Sequence, residues 1–177
     1  TLQETMLRLK MALSQTISFQ KSNICVLVLL LMALAIRAYG INAWLPGAFL
    51  DPDEKLYVLS GMEILEGMAP RNIEDGTLYV FLLSAVYFLH FLLTNFVSIF
   101  HSLVSHDLGK SIGIMNDYFI SFYRDPSMQY ILARGISVSF GTLAVWAIYQ
   151  VGKRLYNPTV GLISAVWLLF SPIHVAF

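Results

Sequence analysis

The sequence predicts an all-α integral membrane protein, a polytopic helical bundle, and three observations carry that prediction. Hydrophobic residues make up 57% of the 177 residues and charged residues only 12%, about half the charged share of an ordinary soluble domain. Mean hydropathy is +0.68. Long apolar runs recur at 24–36, 77–100, 129–152 and 159–177, the second with no Asp, Glu, Lys or Arg anywhere in it. So few charges cannot cover a water-facing surface, so lipid must face much of the chain. The net charge of zero excludes the basic footprint of a nucleic-acid binder. The single Cys25 excludes an internal disulfide and reads as a small buried hydrophobe.

The elements follow in order. Residues 1–22 place Leu2, Met6, Leu9, Leu13 and Ile17 at helical spacing with Arg8, Lys10 and Lys21 between them, as an interfacial helix on the cytoplasmic face would. No small-residue cleavage site follows, so this is not a secretory signal. Residues 23–44 form a first span of roughly 33 Å. Arg37 and Trp44 suit the far interface, by snorkelling and aromatic anchoring. A guanidinium such as Arg37 also suits a phosphate. Residues 45–128 form an external loop holding an amphipathic helix at 51–67, a connection at 68–76, the apolar segment 77–100, and a polar stretch 101–128 with a short helix. Residues 129–152 make a transmembrane helix whose Gly135, Ser137, Ser139, Gly141, Ala144 and Ala147 allow close packing in lipid. Lys153-Arg154 and a turn at Asn157-Pro158 lead to a last transmembrane helix, 159–177. The start at Thr1 and the stop inside that apolar run read as an N-terminal portion of something longer.

Topology turns on residues 77–100, which are long enough to span. If they cross, Lys153-Arg154 falls outside, against the positive-inside tendency. If they lie in the outer leaflet, the chain has three spans. The N-terminus and Lys153-Arg154 are then cytoplasmic, while the acidic loop and His174 share the external face. The second arrangement is the expectation.

The residues that carry chemistry are few. Asp51-Pro52-Asp53-Glu54 has the form of a helix start, with Asp at N-cap, Pro at N1 and Glu at N3. Capping accounts for Asp51, Pro52 and Glu54 but gives Asp53 no required role. Asp53 is therefore the candidate surface carboxylate, as a general base or as a metal or ammonium ligand. Arg134 at the mouth of an apolar helix either snorkels to headgroups or holds a lipid-linked phosphate. His90, His101, His106 and His174 share no metal-ligand spacing. His90 on its apolar helix reads as a packed or hydrogen-bonded residue, with ligation of a porphyrin-type pigment as the other reading. There is no phosphate-binding glycine loop, nucleophile elbow or zinc motif, and no repeat.

In order along the chain stand Arg37-Ala-Tyr-Gly40, Asp53-Glu54, Tyr57, Leu65-Glu-Gly67-Met-Ala-Pro70, Leu78-Tyr79, Arg134 opening a Gly/Ser-rich helix, Lys153-Arg154-Leu-Tyr156 and Ser171-Pro-Ile-His174. This ordered set, covering roughly residues 24–177, resembles the GT-C fold glycosyltransferases that use polyprenyl-phosphate sugars, closest to the protein O-mannosyltransferase and aminoarabinose-transferase branch. The resemblance implies an N-terminal GT-C module with juxtamembrane helices in its first external loop, periplasmic or luminal. It implies Asp53, with Glu54 beside it, as the catalytic acidic pair, and sugar transfer with inversion to an acceptor hydroxyl. Arg134 is its candidate for the phosphate leaving group, with Lys55, Tyr57 and His174 as further substrate-binding residues. The implied partners are the lipid bilayer, the polyprenyl-phosphate sugar donor and an unknown acceptor. The one cofactor it allows is a divalent metal in the full-length protein. Residues 71–76 depart from the family pattern, with Asp75-Gly76-Thr77 where the family has Lys- or Thr-Pro. The competing class is a non-catalytic membrane subunit of a larger complex with other membrane subunits.

Overall fold

The structure, a computed structural model, describes residue 6 and residues 24–39, 41, 42, 45, 52–70 and 77–171. Its regular elements are all helical, with no strand among the described residues. They are α1 (Ile24–Ala38), α2 (Pro52–Leu65), α3 (Thr77–Val104), α4 (Leu108–Arg124), α5 (Ser127–Leu155) and α6 (Pro158–Leu169). Leu78–Val104 and Ser127–Leu155 are long and apolar enough to cross a membrane. The amphipathic helix expected over residues 1–22 and its cytoplasmic placement lie outside the described residues, save for helical Met6.

The chain divides into two compact units, one of residues 1–40 and 137–177, the other of residues 41–136. The core of the second is built where the inward faces of four helices meet. Val58 and Met62 come from α2, Leu83, Tyr87 and Phe91 from α3, Tyr118 and Phe122 from α4, and Tyr130 and Ala133 from the start of α5. The i, i+4 spacing of the residues from α2, α3 and α4, and the i, i+3 spacing of Tyr130 and Ala133, put each set on one helix face. Tyrosine hydroxyls satisfy themselves on backbone carbonyls inside this core. Tyr79 donates to Ala133 O at 3.2 Å, Tyr87 to Gln129 O at 3.3 Å and Tyr118 to Tyr87 O at 3.3 Å. The other face of α3 is left exposed and apolar, with Leu78, Phe81, Leu93 and Phe96 along it.

The stretch read as a loop with a short helix, 101–128, holds the 17-residue α4 and the start of α5. Its signals are local. Asp107 caps α4 by accepting the Lys110 amide at 3.2 Å. The Lys110 side chain and amide together hold the Asp107 carboxyl below its ordinary range. That cap is therefore intact at neutral pH and is lost as pH falls through the lowered value. Asp125-Pro126 repeats the acid–proline start of α2, and the Tyr130 amide already donates to Pro126 O at 3.1 Å.

Two helix ends use left-handed residues. Gly67 (φ 78°) follows α2, and His106 (φ 53°) follows α3. At each, paired bonds close a Schellman motif: Gly67 N to Ile64 O and Met68 N to Glu63 O, then His106 N to Leu103 O and Asp107 N to Ser102 O. Glycine suits that backbone and histidine does not. His106→Gly is accordingly expected to raise stability by about 0.5–1 kcal/mol in thermal unfolding.

The first unit packs Ala33 of α1, Val145 and Tyr149 of α5, and Ala165 and Leu169 of α6. Its tightest contact is glycine on glycine. A Cβ on Gly152 would stand 2.7 Å from Gly161 Cα, and one on Gly161 would stand 2.6 Å from Tyr149 O. Both neighbours are backbone, so no rotamer change relieves them. Gly152→Ala and Gly161→Ala are each expected to cost about 2 kcal/mol in denaturant titration in detergent. The double variant should cost less than the sum, because one separation of the helices admits both methyls.

Two helices are shorter than their apolar runs. The run 23–44 is helical to Ala38, and Ile41 and Asn42 are in a turn; the Ile41 carbonyl serves Arg134 instead of a helix. The run 159–177 is helical to Leu169, where Phe170 and Ser171 turn back on Val166 and Leu168. Ser171 precedes Pro172, and a residue before proline is pushed out of the helical region.

Candidate functional site: an acidic helix start held by Arg134

The first turn of α2 carries Asp53 and Glu54, where the helix dipole favours negative charge. Successive helical residues point about 100° apart, so the two acids part company. Asp53 and Lys55 are exposed, while Glu54 and Tyr57 are half-buried toward the core. Glu54 meets Arg134, 80 residues later. Arg134 Nε donates to Glu54 Oε1 at 2.6 Å and Nη2 to Oε2 at 3.0 Å. The side chains are 15% and 20% exposed, which puts this bidentate pair well out of bulk water. The third nitrogen, Nη1, donates to Ile41 O at 2.8 Å. Tyr130 presents its ring 6.0 Å from the guanidinium carbon, and Tyr57 stands edge-on to Tyr79 with centroids 5.7 Å apart.

The geometry revises two arginine readings. Arg134 neither snorkels nor holds its fork open, because Glu54 and Ile41 occupy it. Glu54, expected to close a capping box, turns both oxygens to Arg134; Asp51, the other half of that box, lies outside the described residues. Arg37, expected to snorkel, is only 8% exposed and lies against Gly141 of α5, its Nη1 donating to Ala33 O at 3.2 Å. So placed, the guanidinium is folded against its own helix and Gly141 and is not extended away from them.

Among the sequence candidates, Asp53, Glu54, Lys55 and Tyr57 share one helix, and Arg134 joins them through Glu54. His174 lies outside the described residues. His90 is hydrogen-bonded, its Nδ1 3.1 Å from Tyr118 Oη. Tyr79, Tyr130 and the Ile41 carbonyl were not singled out in the sequence; Leu78-Tyr79 in the ordered set was the one signal for any of them. Among the described residues no three of His, Cys, Asp and Glu converge to hold a metal ion. The divalent metal allowed by the resemblance thus finds no ligand set there.

The arrangement offers an exposed carboxylate, Asp53, one residue from Glu54, whose charge is paired with that of Arg134. Compared with protein-family models, with curated proteins and with solved structures, the chain matches none.

Proposed function

We propose that the chain is the N-terminal portion of a membrane glycosyltransferase that moves a sugar from a polyprenyl-phosphate carrier to an acceptor hydroxyl on the external face. One observation carries the reading: the acidic start of α2 and Arg134, distant in sequence, meet at one place, and Asp53 is exposed beside them. The ordered motifs from Arg37 to Ser171 support it, as do two helices able to span a membrane.

In this mechanism the Asp53 carboxylate takes the proton of the acceptor hydroxyl. The oxygen attacks the anomeric carbon from the face opposite the carrier, the bond from that carbon to the phosphate oxygen breaks, and the configuration inverts. The leaving phosphate gathers negative charge. Arg134, held by Glu54, supplies a fixed field there, and Lys55 is the exposed cation next to the base. Tyr57 and Tyr79 provide an aromatic wall for the sugar.

The topology that goes with it has α5 and the apolar runs 23–44 and 159–177 as spans, each run continuing past the shorter helix α1 or α6 within it. Helix α3, though long enough to cross, lies in the outer leaflet under the cover of α2 and α4. A cysteine at position 153 in a Cys25→Ser background is expected to resist a membrane-impermeant maleimide added outside; labelling there would overturn this arrangement.

A second reading, a non-catalytic subunit of a larger membrane complex, is favoured by the closure of the Arg134–Glu54 fork, which fastens α2 to α5 as a purely structural pair would. The experiment that separates them is a transfer assay on the full-length protein extracted from membranes, with polyprenyl-phosphate mannose, glucose and aminoarabinose as donors. Turnover above that of Asp53→Asn supports the enzyme. A folded protein that transfers none of the three leaves the subunit reading in place.

A further inference from the structure

Arg37 sits in the last turn of α1, with its Nη1 bound to a carbonyl of its own helix. Its Nε and Nη2 are buried without a hydrogen-bond partner. Those two N–H groups lie on one edge of the guanidinium, the edge that accepts two oxygens of a single anion. Arg134 uses that same edge to hold Glu54. In Arg37 it is unfilled, although a guanidinium cannot shed its proton and a buried charge with a missing partner is strongly unfavourable.

The unit around it offers no anion among the described residues. Residues 24–39 and 137–171 contain no Asp or Glu, yet carry Arg37, Lys153 and Arg154. The unit's one acid is Glu4, outside the described residues. The space for the side chain is made by Gly141, where a Cβ would stand 2.6 Å from Nε and 2.9 Å from Cδ. Ahead of Arg37, α1 runs from Ile24 without a charge, roughly 20 Å of apolar helix. A hydrocarbon core about 30 Å thick entered at Ile24 puts the Arg37 backbone beyond its middle and roughly 10 Å short of the far headgroups, a gap that an extended arginine side chain narrows toward the lipid phosphates.

We infer that Arg37 binds a phosphate oxyanion at the membrane surface, the headgroup phosphate of an acidic lipid, two of whose oxygens fill the Nε–Nη2 edge once the side chain turns off Gly141. A flexible stem of three methylenes makes that turn without moving α1. The inference rests on the membrane-embedded part of the reading above and is independent of the transfer reaction.

The test uses the full-length protein in detergent, titrated with dioctanoyl phosphatidylglycerol, with uncharged dioctanoylglycerol and with inorganic phosphate. The readouts are the melting temperature and the lipid retained in native mass spectrometry. Phosphatidylglycerol is expected to raise the melting temperature and to be retained, and dioctanoylglycerol to do neither. Inorganic phosphate reproducing the shift would name free phosphate as the source and support the same anion site; a response to the lipid alone names the headgroup. Arg37→Met is expected to lose the response and, relieved of an unpaired buried charge, to melt above the wild type without lipid. Arg37→Lys keeps the charge but not the two-pronged edge, and is expected to bind at least about tenfold more weakly; it carries the comparison if the Met variant fails to fold. A wild-type response in Arg37→Lys and Arg37→Met overturns the inference. So does equal destabilisation by Glu4→Gln and Arg37→Met with no further loss in the double variant, which would make Glu4 the partner. A chain recovered in the soluble fraction after a carbonate wash overturns the membrane reading itself, whereas absence of sugar transfer touches neither.

Discussion

Asp53→Asn is expected to lower sugar transfer by the full-length protein by a factor of about 10²–10⁴, the range for losing a positioned general base. Stability is expected to stay within about 0.5 kcal/mol, as for surface substitutions away from special features. The two halves of that expectation come from different facts. Asparagine keeps the size and shape of the side chain but takes up no proton, so the acceptor hydroxyl must attack undissociated. Asp53 is exposed on α2, and a favourable first-turn charge at such a surface is worth a few tenths of a kcal/mol. Unaltered turnover in a folded Asp53→Asn protein would remove Asp53 as the base. Parallel loss of stability and activity would make it a structural residue, as the subunit reading requires.

Arg134→Met is expected to destabilise the protein by about 3 kcal/mol, near the lower end for breaking a buried ion pair. The substitution removes the partner of both Glu54 oxygens and of Ile41 O at once. It leaves a half-buried carboxylate that must stay unpaired or take up a proton. The lower end applies because both side chains keep some contact with water, at 15% and 20% exposure. Replacing both partners with apolar residues of similar size, Arg134→Met with Glu54→Leu, is expected to recover most of that loss, because no stranded charge remains. Denaturant titration of the four proteins in detergent gives the coupling directly. Additive losses in the double variant would show that the two side chains do not act as a pair. Both functional readings predict the same stability result, so this cycle tests the geometry, and Asp53→Asn tests the chemistry.

Local patterning told the two long helices apart from their surroundings. The 24 residues from Thr77 to Phe100 without an Asp, Glu, Lys or Arg can satisfy their backbone and hide their side chains in only a few ways, and a helix is the simplest. The acid–proline start of α2 was legible for the same reason, since capping depends on residues three apart. Equally local signals at Asp107 and at Asp125-Pro126 mark α4 and the start of α5, although 101–128 as a whole reads as a polar loop with only a short helix. Its charges obscured a face of Tyr118 and Phe122 that closes the core.

What one-dimensional reading could not supply was the partner of each charge. Arg134 and Arg37 look alike in sequence, a single arginine at the end of an apolar run, and snorkelling describes both. The fold separates them. Arg134 finds Glu54 across 80 residues, and Arg37 finds Gly141 and an empty edge. Composition and apolar periodicity by themselves determined that 77–100 and 129–152 lie in helices long enough to cross a bilayer, because that property is set by neighbours within a few turns. They did not determine that the runs 23–44 and 159–177 are helical only over Ile24–Ala38 and Pro158–Leu169 among the described residues. That Glu54 is the carboxylate bound to Arg134, and Asp53 the more exposed of the two, was decided only by tertiary structure. A charge's worth in a low-dielectric interior depends on what stands within about 3–4 Å of it, and no spacing along the chain encodes that distance.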